Sequence, residues 1–121
     1  VFAYAGHPVA LVDFKDRPEA DFKKLADEAR SEIVETLTLL SEIGLFQGGS
    51  SIDRIAQRVT VVPKRDAAAA LASADIVFEG FPEVLALKRE ALQEASAMCS
   101  PSAIIASTRA DFSERQSRWA P

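Results

Sequence analysis

Four short apolar runs alternate along the chain with longer stretches in which apolar residues recur every three or four positions. Short apolar runs are typical of buried strands, and the longer spacing is typical of amphipathic helices. The predicted strands are Val9–Val12, Val59–Val62, Ala74–Glu79 and Ala103–Ser107. The predicted helices are Glu19 to about Ile43, Ile52–Gln57, Ala67–Ser73 and Glu83 to about Met98. The apolar side of the last helix is predicted to consist of Val84, Leu87, Ala91, Leu92 and Ala95.

This alternation of strands and helices predicts an α/β fold. Consecutive strands that are separated by a helix run parallel, and the connecting helices cover both faces of the sheet. Because such crossovers are right-handed, few arrangements remain, and a Rossmann-type doubly wound parallel sheet is the simplest of them. The continuous apolar run Val9–Val12 accordingly predicts a strand that is covered on both faces.

Turn-forming and capping residues mark several of the predicted boundaries. Gly6 suits the end of a helix that would include the apolar residues at the start of the chain, and Gly44 suits the end of the long helix. Ser and Asp are residue types that accept hydrogen bonds at helix N-termini. We therefore expect Ser50 or Ser51, and Asp66, to cap the helices that follow them.

Composition narrows the class of protein. The 121 residues suffice for one domain, and 48% hydrophobic residues support a packed core. The net charge of -4 argues against a nucleic-acid partner, and no apolar run approaches the length that crosses a membrane. The single cysteine, Cys99, forms neither an intrachain disulfide nor a metal cluster, which favours a reducing, cytoplasmic setting and predicts no metal site.

An acidic residue, Asp13, directly follows the first predicted strand. Open α/β sheets bind ligands at the carboxyl ends of their strands, where an acid accepts hydrogen bonds from the ribose hydroxyls of a dinucleotide. A solvated loop aspartate is the alternative. A carboxylate at this point also repels the additional phosphate of NADP, but the neighbouring Lys15 and Arg17 leave the choice between NAD and NADP open.

Two further groups of polar residues follow predicted strands. The first is Glu79–Glu83 together with Lys88, at the carboxyl end of a strand, which is the side where cofactors lie. Glu83 falls in the first turn of the last helix, where the helix dipole favours an acid, and Lys88 lies five residues further on. These positions allow either a contact with a bound ribose or an ordinary solvated surface. Ser107 and Thr108 follow at the end of the last strand, where they suit either a ligand contact or a turn.

Taken together, these segments resemble the NAD-binding domain of the 3-hydroxyacyl-CoA dehydrogenase family. The stretches that carry the resemblance are Ala5–Asp13, Leu39–Gly44, Ala74–Glu79, the pair Glu83 and Lys88, and Ile105–Ser107. The branch that includes lambda-crystallin-like and carnitine dehydrogenases is similar as well. The resemblance covers roughly Val1 to Thr108. It implies NAD as the cofactor and a 3-hydroxyacyl-CoA or a related 3-hydroxy acid as the small-molecule substrate.

The resemblance also implies roles for individual residues. Asp13 matches the acid that binds the ribose in the family, and Glu83 and Lys88 match an acid and a lysine that contact NAD near its nicotinamide half. Thr108 falls where many members have Asn, and it is the fourth expected cofactor-binding residue. The catalytic His of the family and its partner Glu lie further along, and nothing in this sequence matches them.

The chain is interpreted as a partial NAD-binding Rossmann domain, residues 1–108, followed by a divergent or irregular tail, residues 109–121. A Gly-rich phosphate loop should lie about 20 residues before Asp13, so we expect the chain to lack that loop and the first strand. The hypothesis is the NAD-binding part of a dehydrogenase, inactive by itself, whose parent protein is a homodimer of fatty acid metabolism. The alternative is a non-catalytic, truncated Rossmann module used for binding or assembly.

Overall fold

The computed structural model describes residues 1–46, 51–81 and 84–107. The chain divides into two compact units, Val1–Lys64 and Arg65–Pro121, and each is described by itself. The first unit contains β1 (Val9–Val12), α1 (Glu19–Glu42), α2 (Ile52–Gln57) and β2 (Val59–Val62). The second contains α3 (Ala67–Ala72), β3 (Ile76–Glu79), α4 (Leu85–Met98) and β4 (Ile104–Ser107), and a 3-10 turn at Lys64–Asp66 precedes α3.

In the first unit, β1 and β2 form a parallel ladder. The register pairs Val9 with Val59 and Val12 with Val62. The backbone N–H of Asp13 donates to the carbonyl of Val62 at 2.9 Å, so the ladder continues one residue beyond β1. Helices α1 and α2 form the crossover between the two strands and pack against each other. A parallel pair requires such a long connection, and the predicted pairing mode is therefore confirmed.

The second unit repeats this arrangement with a shorter crossover. Ile76 is opposite Ile104 and Glu79 is opposite Ser107 in a parallel ladder of β3 with β4. The N–H of Ile104 donates to the carbonyl of Asp75 at 2.9 Å, which extends the ladder at its amino end. Helix α4 connects the two strands, and α3 packs against α4.

Two glycines in the left-handed backbone region end the helical segments of the first unit. The φ angle is 100° at Gly6 and 77° at Gly44. In both cases the residue after the glycine donates its N–H to the carbonyl five residues earlier, at 3.0 Å, which is the long bond of a Schellman motif. The predicted glycine ends are confirmed, and the segment before Gly6 forms a single helical turn.

The turn that precedes β1 is held by two contacts to other parts of the first unit. The Nη1 atom of Arg58 donates to the carbonyl of Ala3 at 2.8 Å. The rings of Tyr4 and Phe46 stack with centroids 4.9 Å apart and planes 16° from parallel. These contacts connect the start of the chain to the end of α2 and to the segment after α1, which fixes the point where β1 begins.

Several predicted boundaries and caps can be compared with the observed ones. Ser51 caps α2 as expected, because its Oγ accepts a hydrogen bond from the N–H of Arg54 at 3.5 Å. The expectation that Asp66 caps α3 is wrong, since its side chain makes no capping bond. Asp66 belongs to the 3-10 turn and lacks the extended backbone that a cap usually has. Strand β3 begins at Ile76 and helix α4 at Leu85, each two residues later than predicted.

The apolar strands of the described residues are only partly covered. The buried apolar side chains are Ala3, Ala26 and Ile55 in the first unit, and Ala67, Leu71, Leu92 and Ala95 in the second. Leu11 of β1 is 41% exposed, and Ile76, Phe78 and Ile104 of β3 and β4 are between 48% and 62% exposed. The expectation that Val9–Val12 is covered on both faces is therefore wrong for this chain. A continuous apolar run records hydrophobicity, but the coverage of each face depends on which elements pack there.

Replacement of Gly44 by Ala should destabilise the first unit through the backbone alone. A Cβ at Gly44 meets no atom within 4 Å, so no steric clash contributes. The left-handed conformation costs a residue with a Cβ about 1 kcal/mol. We expect Gly44→Ala to lower the free energy of unfolding by about that amount and Gly44→Asn to lower it less, because Asn tolerates this conformation. Urea unfolding of the variants tests this, and equal stabilities of the Ala and Asn variants would contradict it.

Candidate functional site

Asp13 lies at the carboxyl end of β1, next to the end of β2. Its backbone is held by the bond to Val62, so the position of the side chain follows from the strand pairing. The carboxylate is mostly buried, with 11% of the side chain exposed. The sequence-based placement of this acid at the end of a parallel strand is confirmed. A carboxylate fixed in this way can serve as a hydrogen-bond acceptor for a ligand at the edge of the sheet.

Two groups in the loop after β1 contact the Asp13 carboxylate. The backbone N–H of Lys15 donates to Oδ1 at 3.3 Å, and Nε of Arg17 donates to Oδ2 at 2.5 Å. The first of these bonds is an Asx-type turn, which orients the carboxylate without using a second side chain. A carboxylate has about four lone-pair sites, so these two bonds leave acceptor capacity for hydroxyl groups of a ligand.

The second unit holds a buried ion pair between the end of β3 and helix α4. Nζ of Lys88 lies 3.1 Å from Oε1 of Glu79, and the two side chains are 3% and 4% exposed. Oε2 of Glu79 accepts a hydrogen bond from the N–H of Phe81 at 3.2 Å. Buried charges are costly unless they are paired and hydrogen-bonded, so this arrangement keeps both groups in the interior.

Lys88 therefore lies on the inward face of α4, whereas sequence periodicity predicted Leu87 on that face. The buried residues of this helix are Lys88, Leu92 and Ala95. Val84 and Leu87, which were expected on the apolar side, are 51% and 60% exposed. Lys88 faces inward because the carboxylate of Glu79, at the end of β3, is buried and requires a cation as its partner. The signal that the sequence offered was an acid, Glu79, at the end of a predicted strand and nine residues before Lys88.

The structure describes only one of the other three predicted site residues. Glu83 and Thr108 lie outside the described residues. Lys88 is described, and its contact with NAD stays a prediction, since its ammonium pairs with Glu79 in the interior. Sequence analysis missed Glu79 as the partner of Lys88, and it missed the contact of Arg17 with Asp13.

Other chemistry-bearing groups do not add a second site in the described part of the chain. The acidic residues on α1 face solvent along an open, shallow surface, with Asp27 and Glu35 at its two ends. No group of three or more His, Cys, Asp or Glu residues suited to a metal ion occurs among residues 1–46, 51–81 and 84–107. Within the same residues, no helix is long and apolar enough to cross a membrane.

The single cysteine is not activated as a nucleophile. Burial raises the pKa of the Cys99 thiol above its usual value. The thiolate is the reactive form of cysteine, and a raised pKa lowers its fraction at neutral pH. Cys99 directly follows α4, where it is half-buried.

The profile of the family described as 3-hydroxyacyl-CoA dehydrogenase, NAD binding domain, matches residues 1–116, nearly the whole chain. The chain belongs to this family. NAD is therefore the cofactor that its family implies, as the sequence analysis predicted. A comparison with curated proteins gave no match.

Solved structures support the fold. The chain superposes on the 3-hydroxybutyryl-CoA dehydrogenase of Escherichia coli K12 with a TM-score of 0.71 at 23% identity, covering 95% of this chain and 22% of that one. It superposes equally well on a diketoreductase studied for dual catalysis of dicarbonyl compounds, with 21% identity and coverage of 95% and 38%. The chain thus spans well under half the length of either enzyme. These matches confirm the Rossmann-type α/β fold class, and the described strands form two two-stranded parallel sheets.

The residues at the end of β1 fit the cofactor that the family implies. Ribose hydroxyls are hydrogen-bond donors, and Asp13 offers a fixed carboxylate with acceptor capacity left over. The site at Asp13 also has the chemistry that open α/β sheets use for the adenosine ribose. The Glu79–Lys88 pair fits a different purpose, because both groups are enclosed and hold the end of β3 against α4.

Breaking the Glu79–Lys88 pair should cost far more stability than breaking an exposed pair. Removal of one partner leaves an uncompensated buried charge, which typically costs about 3–5 kcal/mol. We expect Lys88→Met and Glu79→Gln each to lower the free energy of unfolding by about that amount, and the double variant to lose less than the sum.

The matched control is the exposed pair of Lys24 and Glu28 on α1, whose charged atoms are 4.0 Å apart. The corresponding changes Lys24→Met and Glu28→Gln should alter stability by less than about 1 kcal/mol. Chemical unfolding of all variants measures both pairs. Equal costs for the two pairs would show that the Glu79–Lys88 pair is not enclosed in solution.

Proposed function

We propose that the chain binds the adenosine ribose of NAD within a dehydrogenase that oxidises the 3-hydroxyl group of a 3-hydroxyacyl-CoA or a related 3-hydroxy acid. The observation that carries the proposal is the position of Asp13, whose carboxylate is fixed at the carboxyl end of β1 by the strand pairing and by the N–H of Lys15. Membership of the NAD-binding-domain family supports the choice of ligand. The names of the two solved enzymes support the substrate class.

In this proposal Asp13 accepts hydrogen bonds from the ribose hydroxyls and thereby orients the adenosine half of the cofactor. Such bonds to a charged acceptor contribute about 1.5–3 kcal/mol each. Glu83, Lys88 and Thr108 are proposed as the further cofactor-binding residues, on the resemblance of their positions to the family. For Lys88, this role requires that the ammonium interact with the cofactor from its buried position beside Glu79.

The chemistry of the reaction is divided between this chain and other groups. NAD, when bound, accepts a hydride from C3 of the substrate. The sequence offers no match to the catalytic His and Glu of the family, so the proposed contribution of this chain is binding and orientation, not proton transfer. The proposal includes a cytoplasmic, homodimeric parent protein that acts in fatty acid metabolism.

Replacement of Asp13 should weaken NAD binding strongly. Asp13→Ala removes the ribose acceptor, and the loss of about 1.5–3 kcal/mol corresponds to a dissociation constant for NAD raised roughly tenfold to a hundredfold. Calorimetric titration of the full-length protein measures it. Asp16→Ala is the matched control, because Asp16 is an acid in the same loop whose side chain is 91% exposed. Equal effects of the two variants would contradict the assigned role of Asp13.

A turnover measurement separates the proposal from a non-catalytic binding or assembly module. The full-length protein should oxidise NADH in the presence of acetoacetyl-CoA, the reverse of the proposed reaction. The binding module has the same fold and the same Asp13, so it would bind NAD without this activity. NAD binding without turnover of acetoacetyl-CoA or of a free 3-keto acid would therefore favour the module.

A further inference from the structure

The ion pair of Asp13 with Arg17 affects which dinucleotide the site can accept, if the site binds a dinucleotide as proposed above. An unpaired carboxylate at the ribose repels a 2′-phosphate, because two negative charges would lie within a few ångströms. Here the Nε atom of Arg17 lies 2.5 Å from Oδ2 of Asp13 and offsets that charge. We infer that this site accepts the 2′-phosphorylated dinucleotide NADP as well as NAD, and that Arg17 is the residue that binds the 2′-phosphate.

The electrostatic surroundings of Asp13 favour an anion more than a lone acid would. Basic side chains outnumber acidic ones around the loop after β1. The basic ones are Lys15, Arg17 and Lys64, and the acidic ones are Asp13 and Asp16. Nζ of Lys64 lies 3.5 Å from Oδ2 of Asp16, so this cation from beyond β2 is brought to the same loop. Glu19 and Asp21 follow in the first turn of α1, so the cations that can contact an additional phosphate are those of the loop itself.

Arg17 is available for a phosphate in a way that a buried arginine would not be. Its side chain is 33% exposed, and only Nε of its guanidinium bonds to Asp13. Among the described residues, its terminal Nη atoms donate no hydrogen bond. Guanidinium donors form a planar fork that matches phosphate oxygens in pairs. The two terminal groups can therefore bind a phosphate while Nε keeps its bond to Asp13 and continues to offset the charge of the carboxylate.

Asp13 does not depend on Arg17 for its orientation. The N–H of Lys15 holds Oδ1, and the backbone bond to Val62 holds the residue in the ladder. When the terminal Nη groups of Arg17 bind a phosphate, Asp13 remains in place for the neighbouring ribose hydroxyl. One acid and one arginine thus provide separate contacts for the two features that distinguish NAD from NADP, namely the free 2′-hydroxyl and the 2′-phosphate.

The test is titration of the full-length protein with NAD, NADP, 5′-ADP and 2′,5′-ADP. The two ADP isomers carry the same number of phosphates and differ in the presence of a 2′-phosphate. We expect NADP to bind within about tenfold of NAD, and Arg17→Gln to weaken NADP and 2′,5′-ADP by about tenfold or more. The same variant should leave NAD and 5′-ADP nearly unchanged, because the Asp13 carboxylate stays in place.

Two further variants complete the experiment. Arg17→Lys keeps the charge and should retain part of the NADP affinity, and it serves as the informative variant if Arg17→Gln fails to fold. Arg30→Gln is the matched control, since Arg30 forms an exposed pair with Asp27 on α1 at 3.8 Å and should change neither affinity.

The possible outcomes separate the inference from the proposed function. NAD binding with NADP weaker by more than about tenfold, or an equal effect of Arg17→Gln on both cofactors, would overturn the inference and leave the proposed function intact. A full-length protein that binds neither dinucleotide would overturn both. Selective loss of the 2′-phosphorylated ligands in Arg17→Gln, with Arg30→Gln unchanged, supports the inference.

Discussion

Parallel strand pairing is the constraint on which the rest of each unit depends. Parallel neighbours cannot be joined by a tight turn, so each ladder needs a long crossover that contains helix. The crossover of the first unit contains α1 and α2, and that of the second contains α4. Because the strands of each pair run in the same direction, their carboxyl ends meet at one edge. Asp13 and Glu79 lie at such edges, and their different environments then decide what each carboxylate does.

Local sequence was sufficient for much of this architecture. The bounds of β1 and β2 match the predicted ones, since short apolar and β-branched runs between turn residues have few other options. Gly44 and Gly6 were recognisable as helix ends because the left-handed conformation strongly favours glycine. The position of Asp13 at a strand end followed from the same local pattern. The cofactor came from the resemblance of the whole set of segments and was confirmed by the family match.

What sequence analysis missed depends on contacts between residues that local pattern does not connect. Helical periodicity assigned Leu87 to the inward face of α4, whereas Lys88 occupies it, because Glu79 on a different element needs a buried cation. The proximity of Arg17 to Asp13 was visible in the sequence, but the bond between them depends on the conformation of the loop. The exposure of Leu11 was missed for a related reason, since hydrophobicity does not specify which faces are covered.

The two strand-end carboxylates show how burial separates a structural role from a binding role. Glu79 is enclosed with Lys88. A ligand that bound one of these two groups would separate the pair and leave the other group as an unpaired buried charge, which is costly. Asp13 is paired with a partly exposed arginine, and the two bonds to its carboxylate leave acceptor capacity for a ligand. Carboxylates at the corresponding ends of the two ladders, one from Asp and one from Glu, therefore have different environments. A ligand-binding carboxylate needs free acceptor capacity beside a partner that solvent can reach, and this argument favours Asp13 over Glu79 independently of the family.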